Sequence, residues 1–152
     1  YTLFPYTTLF RSGVATGAIA HGALVADKLG LPFIYIRSEA KSHGLGNQIE
    51  GYYEKGQKVV VIEDLISTGG SSLNAVAAVR EAGCMLLGMA AIFTYQFSKS
   101  VDAFASAECR LVTLSNYSAL IDTAVDTGYI GERDVETLKI WRTDPSNWGK
   151  NI

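Results

Sequence analysis

No stretch of this 152-residue sequence comes near the ~18 consecutive apolar residues that a membrane-spanning helix needs. Cysteine is scarce, and the two present, Cys84 and Cys109, each stand beside an apolar run where a free thiol packs as a small hydrophobe. With no segment of secretory form, a disulfide framework is not expected and the reducing cytoplasm is the default setting. The match of Asn116-Tyr117-Ser118 to a glycosylation acceptor therefore carries little weight. An excess of one charge is missing too: 13 basic against 15 acidic side chains leave a formal net charge of −2, so any anion must be bound locally rather than by a general field. Nucleic acid and anionic membrane lose their electrostatic case. GxxxxGK[ST] and GxGxxG are both absent, which removes the P-loop and dinucleotide readings. No internal repeat appears.

What is present is enough for one core, since 48% of residues are hydrophobic and 18% charged. The most informative stretch is residues 59–72, VVVIEDLISTGGSS. Its apolar, largely β-branched start suits a strand buried on both faces of a parallel sheet. Glu63 and Asp64 fall at the strand's end, and Ser67, Thr68, Gly69, Gly70 and Ser71 lead into LNAVAAVREAG, a helix stopped by Gly83. Backbone amides of such a loop converge on an anion at a helix N-terminus, and hydroxyls add donors. The acids cannot serve a phosphate, but they accept hydrogen bonds from vicinal ribose hydroxyls or hold a divalent ion. For TGGSS alone an ordinary βα turn is the plain alternative; the adjacent acids favour a phosphorylated sugar.

Elsewhere strands and helices alternate, the pattern of an α/β fold with a parallel sheet covered by helices on both faces. Residues 1–12, YTLFPYTTLFRS, contain a near-duplication and are expected to be non-native or misjoined, leaving residues 13–152 as the domain. No strand is evident ahead of the turn at Ala15, Thr16 and Gly17. A helix is predicted from Ala18 to Leu29, closed by Gly30, with His21 on its surface, and a strand from Phe33 to Ile36. Then follows AKSHGLGNQIEG, a polar glycine-bearing stretch that suits either a lid or a solvated hairpin. Arg37, Lys41 and His43 are three potential cations for a diphosphate. Met85 and Met89 are expected as core filler in the strand after the motif. Two more helices and a strand precede a final helix near residues 132–141.

Residues 59–72 resemble the 5-phosphoribosyl 1-diphosphate (PRPP) motif of type I phosphoribosyltransferases: four hydrophobics, two acids, two hydrophobics and a small Thr/Gly/Ser-rich tail. RSEAKSHGLGNQIEG is similar to the catalytic loop of the orotate phosphoribosyltransferases, which narrows the resemblance. The family implies a Rossmann-like fold, with Glu63 and Asp64 on the ribose hydroxyls, residues 67–71 on the 5′-phosphate and Ser67 also on orotate. It implies Ala15, Thr16 and Gly17 at the diphosphate, and Arg37, Lys41 and His43 closing over PRPP from the neighbouring subunit of a homodimer. Mg²⁺ is the implied cofactor. Transfer of phosphoribosyl from PRPP to orotate, a step of UMP biosynthesis, is the implied activity. There are departures. Glu63 replaces the more usual aspartate, Ser38 stands where many members carry lysine, and no arginine occurs in Phe93-Thr94-Tyr95-Gln96, where some members contact the base. The family's N-terminal hood is expected to be missing. Transfer to another nucleobase, or a PRPP-sensing module without turnover, stays open on the residues alone.

Overall fold

An uninterrupted apolar run before Glu63 makes β4 (Lys58–Ile66) a central strand. It pairs in parallel with β1 (Leu9–Val14) on one side and with β5 (Met85–Thr94) on the other. Beyond β1 come β2 (Phe33–Ile36), parallel, and β3 (Ile49–Glu50), antiparallel; beyond β5 comes β6 (Leu111–Asn116), parallel. The order is thus β3-β2-β1-β4-β5-β6. This computed structural model describes residues 9–37 and 48–149. The chain winds outward in one direction from β1 and in the other from β4, so a topological switch point lies between them.

Helix α1 (Ala18–Leu29) joins β1 to β2, α2 (Gly70–Glu81) joins β4 to β5, and α3 (Ser98–Ser106) joins β5 to β6. Two more, α4 (Tyr117–Asp126) and α5 (Glu132–Thr143), follow β6. Right-handed crossovers place α1 on one face and α2 with α3 on the other. Side chains agree. Gly13, in register with Ile62, packs under the backbone of Ala18 and Ile19 in α1, whereas Glu63 bonds a hydroxyl of α2. The core between them includes Ile34, Ile36, Val59, Val61, Val79 and Met89.

The predicted α1 and β2 are present with the expected ends, and Gly30 closes α1 in the left-handed region at φ 63°. Two strands were not foreseen. β1 reads LFRSGV, whose arginine and serine break any alternation, so its strand character comes from pairing on both sides. It spans the boundary that sequence alone set at residue 13, while residues 1–8 lie outside the described part. β3 has two residues, too few for a pattern. Met89 is buried as expected, but Met85 opens β5 at 52% exposure, beyond the reach of the helix layer. Both thiols are free and buried, and burial pushes both up from the usual thiol range. Asn116 is used as the N-cap of α4, accepting from the Ala119 amide at 3.0 Å.

Coverage of the sheet is uneven. α1 packs over β1, β2 and β4, and on its side Ile92, Val112 and Leu114 of β5 and β6 remain exposed, beside Leu87 at a bulge. Leu114 is 84% exposed. Among the described residues no helix is long and apolar enough to cross a membrane.

Neighbouring positions on β1 should respond to alanine with opposite signs. A Cβ at Gly13 would lie 2.6 Å from the Ala18 carbonyl oxygen, so Gly13→Ala is expected to cost about 1–3 kcal/mol through overpacking. The Ser12 hydroxyl is buried without a hydrogen-bond partner among the described residues, so Ser12→Ala should be neutral or stabilise by up to about 1 kcal/mol. Urea unfolding of the two variants checks both, and the same sign for both would contradict this packing.

Candidate functional site

The carboxyl ends of β1 and β4 stand side by side at the switch point, where an open α/β sheet has its crevice. Each runs directly into a helix. β1 leads through Ala15, Thr16 and Gly17 into α1, and the Ala15–Thr16 peptide is cis. β4 leads through Ser67, Thr68 and Gly69 into α2. Gly17 and Gly69 are the N-caps, neither offers a side-chain cap, and neither helix carries an acid in its first turn. α4 and α5 differ, being closed by Asn116 and by Asp134, whose Oδ2 accepts from the Gly131 amide at 2.9 Å. Two helix N-termini therefore bring their positive ends to one crevice without an acid in either helix's own first turn.

In α2 the first helical bond runs from the Leu73 amide to the Gly69 carbonyl at 2.9 Å, so the amides of Gly70, Ser71 and Ser72 precede the ladder. Gly69 holds φ 84°, where a side chain would be strained, and a Cβ there would also meet Phe104 of α3 at 3.0 Å. Ser67, Thr68, Gly70 and Ser71 are exposed. This is a cradle of amides and hydroxyls open to an anion.

The two acids part company. Consecutive residues of a strand project to opposite faces, so Glu63 goes with Val61 toward α2 and Asp64 with Ile62 toward α1. Glu63 is 4% exposed; its Oε2 accepts from the Ser72 hydroxyl at 2.8 Å and its Oε1 from the Asp64 amide at 3.1 Å. Burial, joined by contact with the Asp64 carboxyl, outweighs those two donors and pushes its pKa up to about 7. Asp64 is half-buried, its Oδ1 accepting from the Leu65 amide at 2.8 Å. Its carboxylate lies against the α carbon of Gly17: a Cβ there would collide with Oδ2 and stand 2.8 Å from Cγ. Asp64 and the 15–17 turn are thus brought into contact, while Glu63 reaches the 67–71 cradle from beneath, through Ser72.

Residues 12–128 match the family model of the phosphoribosyl transferase domain. The chain belongs to that phosphoribosyltransferase family. It is 60% identical over 137 residues to an orotate phosphoribosyltransferase of Phocaeicola vulgatus, covering 90% of this chain and 65% of that protein. With the orotate phosphoribosyltransferase of Enterococcus faecalis it shares 58% over 139 residues, 91% of this chain and 66% of the relative. Among solved structures, orotate phosphoribosyltransferase from Aeropyrum pernix superposes with a TM-score of 0.69 at 29% identity, over 82% of this chain and 67% of that one. The chain therefore spans about 65% of the length of the curated relatives it matches.

Arg37 follows β2; its amide donates to the Gln48 carbonyl at 2.9 Å and its guanidinium pairs with Glu50 at 3.4 Å, so its charge is shared with β3. Lys41 and His43 lie outside the described residues. His21, read as a surface histidine, donates from Nδ1 to the Gly17 carbonyl at 3.1 Å and so buttresses the 15–17 turn. Ser72 was not singled out as a site residue. Its signal was available in the nine-residue separation from Glu63, which places a first-turn hydroxyl back over the strand's end. Among the described residues, no group of three or more His, Cys, Asp or Glu side chains is placed to hold a metal ion. Mg²⁺ commonly binds one or two carboxylates plus substrate phosphates, and Asp64 beside two anion-ready loops fits that sharing.

Glu63 gives this phosphoribosyltransferase chain a definite pH response. A carboxyl whose pKa is higher folded than unfolded holds its proton more tightly in the fold, so its stabilising share is full below the unfolded value and is lost as pH rises through about 7. Glu63→Gln should therefore melt a few degrees above the parent at pH 8, with the gap closing below about pH 5. Calorimetry across that range checks it, and a pH-independent difference would contradict the burial account.

Proposed function

We propose that this chain transfers the 5-phosphoribosyl group from PRPP to orotate, giving orotidine 5′-monophosphate and diphosphate, a reaction of pyrimidine nucleotide synthesis in the cytoplasm. The observation that carries the reading is that Asp64, which lies against the Ala15-Thr16-Gly17 turn, stands on the strand that runs directly into the amide-rich cradle. A ribose 5-phosphate with a diphosphate at its anomeric carbon has its three polar parts spaced in that order. The names of relatives at 58–60% identity support orotate as the acceptor.

In this reading the bond from the anomeric carbon to the diphosphate oxygen breaks, the diphosphate leaves with the electron pair, and a carbon–nitrogen bond to the base forms. Positive charge develops on the sugar and negative charge on the leaving group, so stabilisation is mainly electrostatic. The α2 N-terminus binds the 5′-phosphate and Asp64 orients the ribose hydroxyls. The 15–17 turn receives the diphosphate at the α1 N-terminus. Bound Mg²⁺, shared by Asp64 and the substrate, would neutralise diphosphate charge. Arg37, Lys41 and His43 supply further positive charge, with His43 able to protonate the leaving group, from the neighbouring subunit of a homodimer.

The test is Mg²⁺-dependent diphosphate release from PRPP, with orotate present and omitted. Release only with orotate is expected; none in either case, or equal release in both, overturns the proposal. Asp64→Ala should weaken PRPP binding about 10–100-fold by calorimetry, the range for losing an ionised hydrogen-bond acceptor. Unchanged affinity would remove the ribose assignment. For Lys41→Ala, kcat should fall on the order of 100-fold while orotate affinity stays within about twofold, and an equal loss in both would mean simple binding.

A further inference from the structure

The turn at residues 94–97 is tied to the phosphate cradle by two routes. At its start, the Tyr95 amide donates to the carbonyl of Ile66, the last residue before the cradle, at 3.0 Å. At its end, Phe97 is the N-cap of α3, the helix whose Phe104 ring lies under Gly69. Both ends of the Ile66-to-Gly69 connection therefore rest on whatever holds this turn. Within the turn the Gln96 amide donates to Oγ1 of Thr94 at 3.1 Å, and Gln96 adopts φ 57°, uncommon for a residue with a side chain.

What holds it comes from α4 and α5, with the Tyr117 ring of α4 6.0 Å from that of Tyr95. Trp141 stands 5.7 Å from the Tyr95 ring, 5.8 Å from Phe97 and 5.4 Å from Tyr117, centroid to centroid. Tyr95 and Phe97 stack on one another at 5.3 Å and 5°. A polar strap runs alongside. Arg142 donates to the Ser118 hydroxyl at 3.0 Å, and Ser118 donates from its hydroxyl at 3.0 Å and its amide at 3.3 Å to Oε1 of Gln96. The guanidinium of Arg142 also lies 5.9 Å over the Tyr117 ring. α5 begins at Glu132, beyond the residues 12–128 that match the family domain.

We infer that Trp141 is a positioning residue: from a helix outside the family domain it clamps the 94–97 turn and so pre-organises the phosphate cradle. Its effect is to spare PRPP the ordering of a loose cradle on binding, so the kinetic part of the inference rests on the PRPP reading while the structural part does not.

The experiment compares Trp141→Ala and Trp141→Phe with the parent by amide hydrogen exchange, and by steady-state kinetics with Mg²⁺, PRPP and orotate. In Trp141→Ala the Tyr95 amide should exchange about tenfold faster or more while β1 and β4 keep their protection. The KM for PRPP should rise about 5–10-fold with kcat within about twofold. Trp141→Phe, which keeps an aromatic face, should recover most of both. Unchanged exchange at Tyr95, or uniform loosening of the whole sheet, overturns the inference whatever the chain catalyses, as does a fall in kcat with KM unmoved. A parent that releases no diphosphate would sink the functional reading and leave the exchange data to decide the clamp. Should Trp141→Ala fail to fold, Trp141→Leu keeps apolar bulk but removes the ring contacts; the Tyr95 amide must still exchange severalfold faster than in the parent, and no change there overturns the inference.

Discussion

The site depends on one geometric constraint: successive side chains of a strand leave on opposite sides of the sheet. At the end of β4 that rule divides two adjacent acids between two helices. Glu63 goes under α2 and meets Ser72; Asp64 goes toward α1 and meets Gly17. They still touch, since the Asp64 carboxyl is among the causes that raise Glu63 to about 7, but their other contacts lie on opposite faces. Divided, they do different work. The buried one braces the cradle from below, and the more open one borders the crevice.

The same division explains why the crevice suits anions although the chain carries a net charge of −2. Two helices begin there with glycine caps and no acid in the first turn, so partial positive charge from the backbone is left for a ligand. Asp64 is compatible with that potential because it borders the α1 N-terminus rather than closing it. Local electrostatics and global charge are separate quantities, and here they have opposite signs.

Much of this was legible in the residues. The strand, cradle and helix at residues 59–81 are written as an apolar run, small residues and an apolar-spaced segment, each with a local cause. Gly30 announced the end of α1, and only a left-handed cap requires a glycine there. β1 was not legible, because its arginine and serine interrupt alternation and its strand state comes from neighbours distant in sequence. Glu63 and Asp64 were recognisable as a pair, but their separation was not noticed, since adjacency in the text suggests joint action. Contacts made by α5 were the least accessible. Trp141 meets Tyr95 and Phe97 across more than forty positions, and no short-range pattern encodes that approach.

The uneven covering of the sheet bears on how the chain responds to heat. Leu87, Ile92, Val112 and Leu114 are already in contact with water when the protein is folded. Leu114 has little left to expose on unfolding and the other three only part of their surface, so together they add less than fully buried residues would to the heat-capacity increment that curves the stability of a domain with temperature. A chain with this bare flank has a flatter dome of stability than one of equal length whose β5 and β6 are roofed on both sides.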